Sequence, residues 1–391
     1  MNKDILKSGV QNFISEYYAT DSLSVLLKKP QFEGISQKEL VIQLEGKNKS
    51  RLKLPSWFKT LGIYYPKKIN IEQTSSEITA AYKSELVNGK SLVDITGGFG
   101  VDSYYFSKKI VQVFHCEIDE NLAEIAAHNF TILGTKNSIS HAQNGIDFLA
   151  QSDTKFDWVF ADPSRRDSAQ KRVFKLADCS PNIPEHLDVL FSKTNRVLIK
   201  TAPLLDISLG IAELQHVKAI HVVAVNNEVK ELLWVLEKDF SDAPTLTAVN
   251  LETSQQPFSF LLSEEKKAIA DLGEPLRYLY EPNAAILKAG AFKTVGNRYG
   301  LKKLHEHSHL YTSDTLVNFP GRIFKIETVL PYNKKALKLY VGSKANVTTR
   351  NFSESVASIR QKYKLKDGGD RYLFFTTCTN SERLVLVTKK T

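Results

Sequence analysis

Cysteine is scarce in this chain: Cys116, Cys179 and Cys378 are the full set, odd in number and far apart. That excludes a disulfide framework and a cysteine-based zinc site. Long apolar runs are also missing. The opening MNKDILKSGVQNFI carries no long apolar stretch and no cleavage signal, and no window approaches a membrane span. The expectation is a cytoplasmic protein with no membrane partner. Internal repeats and low-complexity tracts are absent. His305, His307 and His309 alternate beside Glu306, a spacing that fits a polar strand or loop better than a metal centre, so no metal is expected. What the chain does have is bulk, since 391 residues at 42% hydrophobic content suffice for two or three domains.

The most informative stretch is Leu92 to Glu117, LVDITGGFGVDSYYFSKKIVQVFHCE. Ser91 to Ile95 reads as a short apolar strand with Asp94 near its end. Thr96, Gly97, Gly98, Phe99 and Gly100 follow as a turn whose missing side chains let a ligand lie against backbone N–H groups. Val101 to Lys109 reads as a helix, and Ile110 to Cys116 as a buried parallel strand. Glu117, at the end of that strand, stands where a carboxylate accepts two hydrogen bonds from a ribose diol. A dinucleotide fingerprint would need a third glycine where Ser103 stands, which weighs against a dehydrogenase. Next come a helix over Ile118 to Leu133, with Leu122, Ile125, Ala126 and Phe130 on one face, and a third strand over Ser138 to Gln143. A fourth strand, Phe156 to Phe160, runs into Asp162-Pro163-Ser164-Arg165-Arg166.

The spacing Asp-x-Thr-Gly-Gly-x-Gly resembles motif I of class I S-adenosylmethionine (SAM) methyltransferases, with Thr96 in place of the usual first glycine. The resemblance implies SAM as cofactor, held by Asp94, Thr96, Gly98, Gly100, Glu117 and Asn144. Asp94 would contact or orient the methionine moiety, Gly98 and Gly100 line the cofactor, and Glu117 hold the ribose. Asn144 falls where the family sets a polar side chain against the adenine amino group, and it reads equally well as a turn former before Gly145. Methyl transfer from a sulfonium needs positioning more than acid or base help. A carboxylate and a backbone carbonyl that accept the two hydrogens of an exocyclic amine turn its lone pair toward the methyl group, and Asp162 with Pro163 suits that task. The segment resembles motif IV of amino methyltransferases, [Asp/Asn]-Pro-Pro-[aromatic], but Ser164 and Arg165 depart from it and the base-stacking aromatic is missing. Asp162, Pro163 and Arg165 are the catalytic candidates. Arg165 and Arg166 either grip a phosphate or form an exposed basic turn. Uracil C5 methyltransferases need a cysteine nucleophile near the fifth strand, and Arg196 to Thr201 has none. Lys200 in that strand, and Glu228 with Lys230, either line the same cleft or form ordinary ion pairs.

Charge is uneven. Residues 1–90 carry 14 basic and 9 acidic side chains, 91–275 carry 17 and 26, and 276–391 carry 21 and 8, or +5, −9 and +13. Between Lys334 and Lys366 nine Lys or Arg face one acid, Glu354, interleaved with Tyr340, Phe352 and Tyr363. That is the footprint of a nucleic-acid surface, or else a solvated basic face. Patterning gives an N-terminal helical domain over 1–84, a SAM domain over 85–260 completed by antiparallel strands at Val217–Val225, Glu231–Leu236 and Thr245–Leu251, an α+β segment over 276–318 and a terminal α+β module over 319–391. The fold class is α/β: a Rossmann-like methyltransferase sheet with a helical N-terminal domain and a C-terminal α+β region.

Taken together, VDITGGFGVDS, FADPSRR, LIKTAPLLD, NNEVKELL and YEPNAAILKAGAF resemble a bacterial family of class I methyltransferases with C-terminal ferredoxin-like and THUMP-like domains. That resemblance implies a structured RNA partner, such as rRNA or tRNA, and the likeness of the Asp162-Pro163 segment to motif IV of amino methyltransferases adds an exocyclic base amine as the expected target. A small-molecule or protein methyltransferase, and a non-catalytic RNA-binding protein with a retained SAM fold, are the alternatives.

Overall fold

The computed structural model describes residues 1–165 and 175–391, Arg165 by its backbone alone, so Arg166 lies outside the described residues. The chain divides into two compact units, Met1–Lys218 with Leu232–Ser241, and Ala219–Glu231 with Asp242–Thr391.

The first unit is built on β1 (Gly89–Asp94), paired in parallel with β2 (Ile110–Glu117) on one side and β4 (Trp158–Ala161) on the other. β3 (Ser138–Ala142) continues beyond β2, and strand Arg196–Thr201 beyond β4, both parallel. Strand Glu228–Glu237 then runs antiparallel to Arg196–Thr201, with Leu232 opposite Thr201 and Glu237 opposite Arg196. Helices Val101–Phe106, Glu120–Ile132 and Gly145–Gln151 make the crossovers. Because both faces of a parallel sheet are covered, β4 reads WVFA and is buried throughout. Register brings residues together: Asp94 pairs with Phe160, and Ala161 with Ile199, so Asp94, Asp162 and Lys200 stand side by side at the C-terminal edge where such sheets bind ligands.

Residues 1–84 are helical. Helix Gln37–Lys53 begins at a capping box, where Ser36 Oγ accepts from the Glu39 N–H and the Glu39 carboxylate accepts from the Ser36 N–H. Its buried face, Leu40, Val41 and Leu44, belongs to a core cluster that also holds Trp57, Phe99, Val101, Tyr105 and Ile125. These helices therefore share their core with the start of the glycine-turn helix. Trp57 lies 4.8 Å from Tyr104 and 6.4 Å from Phe99, ring to ring. Buried Lys83 pairs with Asp102 at 3.2 Å, and Ser75 donates to the same carboxylate at 2.7 Å.

In the second unit, Val217–Val225 pairs with Thr245–Leu251 in parallel, and Phe258–Leu261 closes antiparallel. The parallel pairing corrects the antiparallel expectation for Thr245–Leu251. Thr245 stands opposite Ala219 and Leu251 opposite Val225, so the two strands run the same way, and it is Phe258–Leu261 that reverses direction. A seven-stranded sheet follows, ordered Lys302–Lys303, Tyr311–Ser313, Tyr278–Pro282, Gly321–Pro331, Arg383–Lys390, Arg371–Thr377, Asn346–Arg350. Its pairs are antiparallel except Asn346–Arg350 with Arg371–Thr377. Helix Val356–Tyr363 contributes Ile359 and Tyr363 to the core beneath. Buried Glu281 is gripped by Arg322 and Arg350, which fixes Tyr278–Pro282 to Gly321–Pro331 and to the end of Asn346–Arg350. His309 stacks on Phe292 with 3.8 Å between ring centres, and among the described residues no group of three or more His, Cys, Asp or Glu is arranged for a metal. The three cysteines are buried, with no disulfide among the described residues, and among those residues no helix is long and apolar enough to cross a membrane.

Candidate functional site

Asp94 ends β1 with 1% of its surface exposed. It accepts hydrogen bonds from the Thr96 N–H at 3.1 Å and from Ser103 Oγ at 2.7 Å, which ties the strand end to the first turn of helix Val101–Phe106. Burial lifts its carboxyl to about 7, the Ser103 and Thr96 hydrogen bonds pull the other way, and the charges of Asp102 and Asp162 add to the rise. Asp94 thus shapes the turn from within.

Gly98 and Gly100 adopt φ of +56° and +84°, left-handed values that side chains resist. A Cβ on Gly100 would meet the Phe130 ring at 2.8 Å, whereas one on Gly98 would meet the Thr96 carbonyl oxygen at 3.9 Å and nothing nearer among the described residues. Gly98 therefore leaves room beside the turn. Its N–H donates to Glu117 Oε2 at 2.7 Å, and the Asp119 N–H donates to Oε1 at 2.9 Å. A carboxylate has about four acceptor sites, so Glu117 keeps capacity for a ribose diol. Beneath the turn, fully buried His115 sits between Ser140 Oγ at 3.0 Å and the Gly98 carbonyl at 3.3 Å. Burial lowers its imidazole to about 4 and keeps it neutral.

Ile118, next to Glu117, is 71% exposed. An apolar side chain beside this strand-end carboxylate presents a face on which a flat ring could pack, and its signal in the sequence is an apolar residue directly after the strand-end acid. Asn144 caps helix Gly145–Gln151, its Oδ1 accepting from the Ile146 N–H at 2.9 Å and the Asp147 N–H at 3.3 Å. The turn-forming geometry is the one present, and the oxygen that would accept from an adenine amino group already serves two backbone donors.

Asp162 follows β4, and its N–H donates to Thr96 Oγ1 at 2.7 Å. The threonine that replaces the family glycine thus connects the glycine turn to the Asp-Pro segment, a function its sequence position did not disclose. The Asp162 carboxylate, 27% exposed, is ion-paired with Lys200, 14% exposed. Pro163 is buried, and Ser164–Arg165 forms a short ribbon with Cys179–Ser180 through the backbone. The structure brings Asp94, Thr96, Gly98, Glu117 and Asp162 into one hydrogen-bonded edge. Glu228 and Lys230 pair with each other at 2.7 Å in the second unit.

Comparison with known proteins adds three findings. Residues 278–320 match the profile of a ferredoxin-like domain and residues 321–390 that of a THUMP-like domain. A crystal structure of a candidate methyltransferase from Porphyromonas gingivalis W83 is 32% identical, superposes with a TM-score of 0.90, and is matched over 99% of this chain and 98% of that one. A protein of Mycobacterium tuberculosis H37Rv named as an S-adenosylmethionine-dependent methyltransferase is 21% identical over 302 residues, 76% of this chain and 80% of its own length.

Proposed function

Because this chain belongs to the family of class I SAM-dependent methyltransferases that carry ferredoxin-like and THUMP-like domains at the C-terminus, we propose that it methylates an exocyclic base amine of RNA. Its cofactor is SAM, which supplies the electrophilic methyl group. The observation that carries the reading is the hydrogen bond from Asp162 to Thr96, which sets a carboxylate beside the glycine turn at the C-terminal edge of the sheet. Glu117 would hold the ribose, the open face of Gly98 would receive the methionine portion, and Ile118 would pack on the adenine.

Asp162 and a neighbouring carbonyl accept the two amine hydrogens, so the lone pair points along the line of displacement. Bound SAM would supply the methyl group and keep the sulfur electron pair, and Asp162 would pass the proton lost by the methylated amine to water. The RNA assignment is supported by the net +13 of residues 276–391 and by the THUMP-like profile. The same profiles support a division of the C-terminal region near 276–318 and 319–391, and we place before it a helical segment over 1–84 and a SAM domain over 85–260. Incubating the full chain with methyl-labelled SAM and, separately, total RNA, extracted protein and small-molecule extract tests the assignment: label enters RNA on this reading, and label in either other fraction instead rejects it.

Two expectations concern the cofactor. Glu117→Ala removes a charge-assisted hydrogen-bond pair and should weaken SAM binding by about 1.5 to 3 kcal/mol, roughly ten- to a hundredfold, in calorimetric titration. Undiminished binding would place the ribose elsewhere. Asp94, at about 7, is near half-protonated at neutral pH. A cationic methionine group beside it favours the ionised form, so binding should strengthen as pH rises through about 7 and release up to about half a proton. Titrations in phosphate and Tris, whose ionisation heats differ, should give different apparent enthalpies. Equal enthalpies would mean that Asp94 does not change charge.

A further inference from the structure

We infer that Lys200 is a positioning residue for methyl transfer, holding the Asp162 carboxylate at the angle from which it receives the target amine. The parallel register sets Ala161 opposite Ile199, so the residues that follow, Asp162 and Lys200, leave adjacent strands together. Their charged groups meet in an ion pair that is mostly buried on the lysine side, with Lys200 14% exposed. A pair sheltered in this way is screened less by salt than a surface pair, and it fixes the direction of both groups.

The constraint extends across three strand ends. Ser103 donates to Asp94 at 2.7 Å, Thr96 Oγ1 lies 3.4 Å from Asp94 Oδ1, and the Asp162 N–H donates to Thr96 Oγ1 at 2.7 Å. Asp162 is therefore held at its backbone by the turn residue Thr96 and at its side chain by Lys200. The ammonium lies on Oδ2, which leaves Oδ1 to accept an amine hydrogen. Without the lysine, the carboxylate rotates about χ1 and χ2 and the acceptor loses its aim. A motif IV that lacks the stacking aromatic has this second restraint instead.

The inference rests on the RNA methyltransferase reading for one of its two tests. In the full chain, Lys200→Met should lower kcat for methyl transfer to RNA by about ten- to a hundredfold, with SAM affinity and the KM for RNA each within about twofold of wild type. Lys200→Arg, which keeps a cation on the same carboxylate, should restore most of kcat. A lysine with a merely structural function would lower SAM affinity and kcat together and would not be rescued by arginine. The second test needs no substrate. Thermal unfolding of Lys200→Met, Asp162→Asn and the double variant should show a Tm loss for the double variant smaller than the sum of the two single losses. Additive losses overturn the assignment whatever the substrate, as does a Lys200→Met protein that keeps wild-type kcat on RNA. A wild-type protein that leaves RNA unlabelled while the Tm losses remain coupled would reject the RNA reading and retain the pairing.

Discussion

Asp162→Ala is expected to lower kcat by about a hundred- to a thousandfold while SAM binds within about twofold of wild type, the split that marks a group acting on the nucleophile and not on the cofactor. The Asp162 carboxylate is ion-paired with Lys200, whereas Gly98 and Glu117, the residues proposed to hold the cofactor, are bonded to each other. Alanine leaves the backbone N–H that reaches Thr96 in place, so the turn keeps its shape. Asp162→Asn should retain part of the activity, because its amide oxygen still accepts one amine hydrogen. Single-turnover assays with labelled SAM, beside calorimetric titration of the cofactor, separate the two effects. Wild-type turnover in the alanine variant would make Asp162 a turn residue, with the acceptor elsewhere.

RNA affinity should fall steeply with salt. If about four phosphates are engaged, the logarithmic slope is near −3 to −4, at about 0.7 to 0.9 per contact. Lys334, Lys335, Lys344 and Lys364 are exposed within the stretch from Lys334 to Lys366 that holds nine bases and one acid. Reversing all four to glutamate should lower affinity by about a hundredfold or more at low salt and flatten the slope, since each lost phosphate contact removes its released counterion. SAM binding should not move. The variant's far-ultraviolet circular dichroism and Tm should match wild type, because these side chains stand in solvent. RNA binding that survives the four reversals would mean that the basic C-terminal surface is merely solvated and that the substrate is held by other parts of the chain.

The elements legible in the sequence are those whose pattern is local. A short apolar strand, a glycine turn and an acid at the next strand end lie within 26 residues, and the structure places Asp94, Gly98, Gly100 and Glu117 around one turn. What the sequence did not disclose depends on register between distant strands. Lys200 became the neighbour of Asp162 through the Ala161–Ile199 pairing, a separation of 38 residues that no spacing rule spans. Thr96 looked like a departure from a glycine motif, yet its hydroxyl is what connects β1 to the Asp-Pro segment. Phe99, a member of the turn between two glycines, shares a core with Leu40 and Trp57. Thr245–Leu251 has the composition of a strand whichever way it runs, so its parallel direction had to come from the path of the chain. The last strand, Arg383–Lys390, buries five of its residues yet has no clear local signature. Its charged ends, Arg383 and Lys389–Lys390, mask a short apolar run, and its partners lie in Gly321–Pro331 and Arg371–Thr377.

The central claim, transfer of a methyl group from SAM to a base amine of RNA, is tested most directly by mass-spectrometric comparison of nucleosides in RNA from cells with and without the gene. The account predicts that one base methylated on an exocyclic nitrogen disappears from the strain lacking the gene, and returns with the wild-type gene but not with the Asp162→Ala variant. Identical nucleoside profiles in the two strains would contradict it.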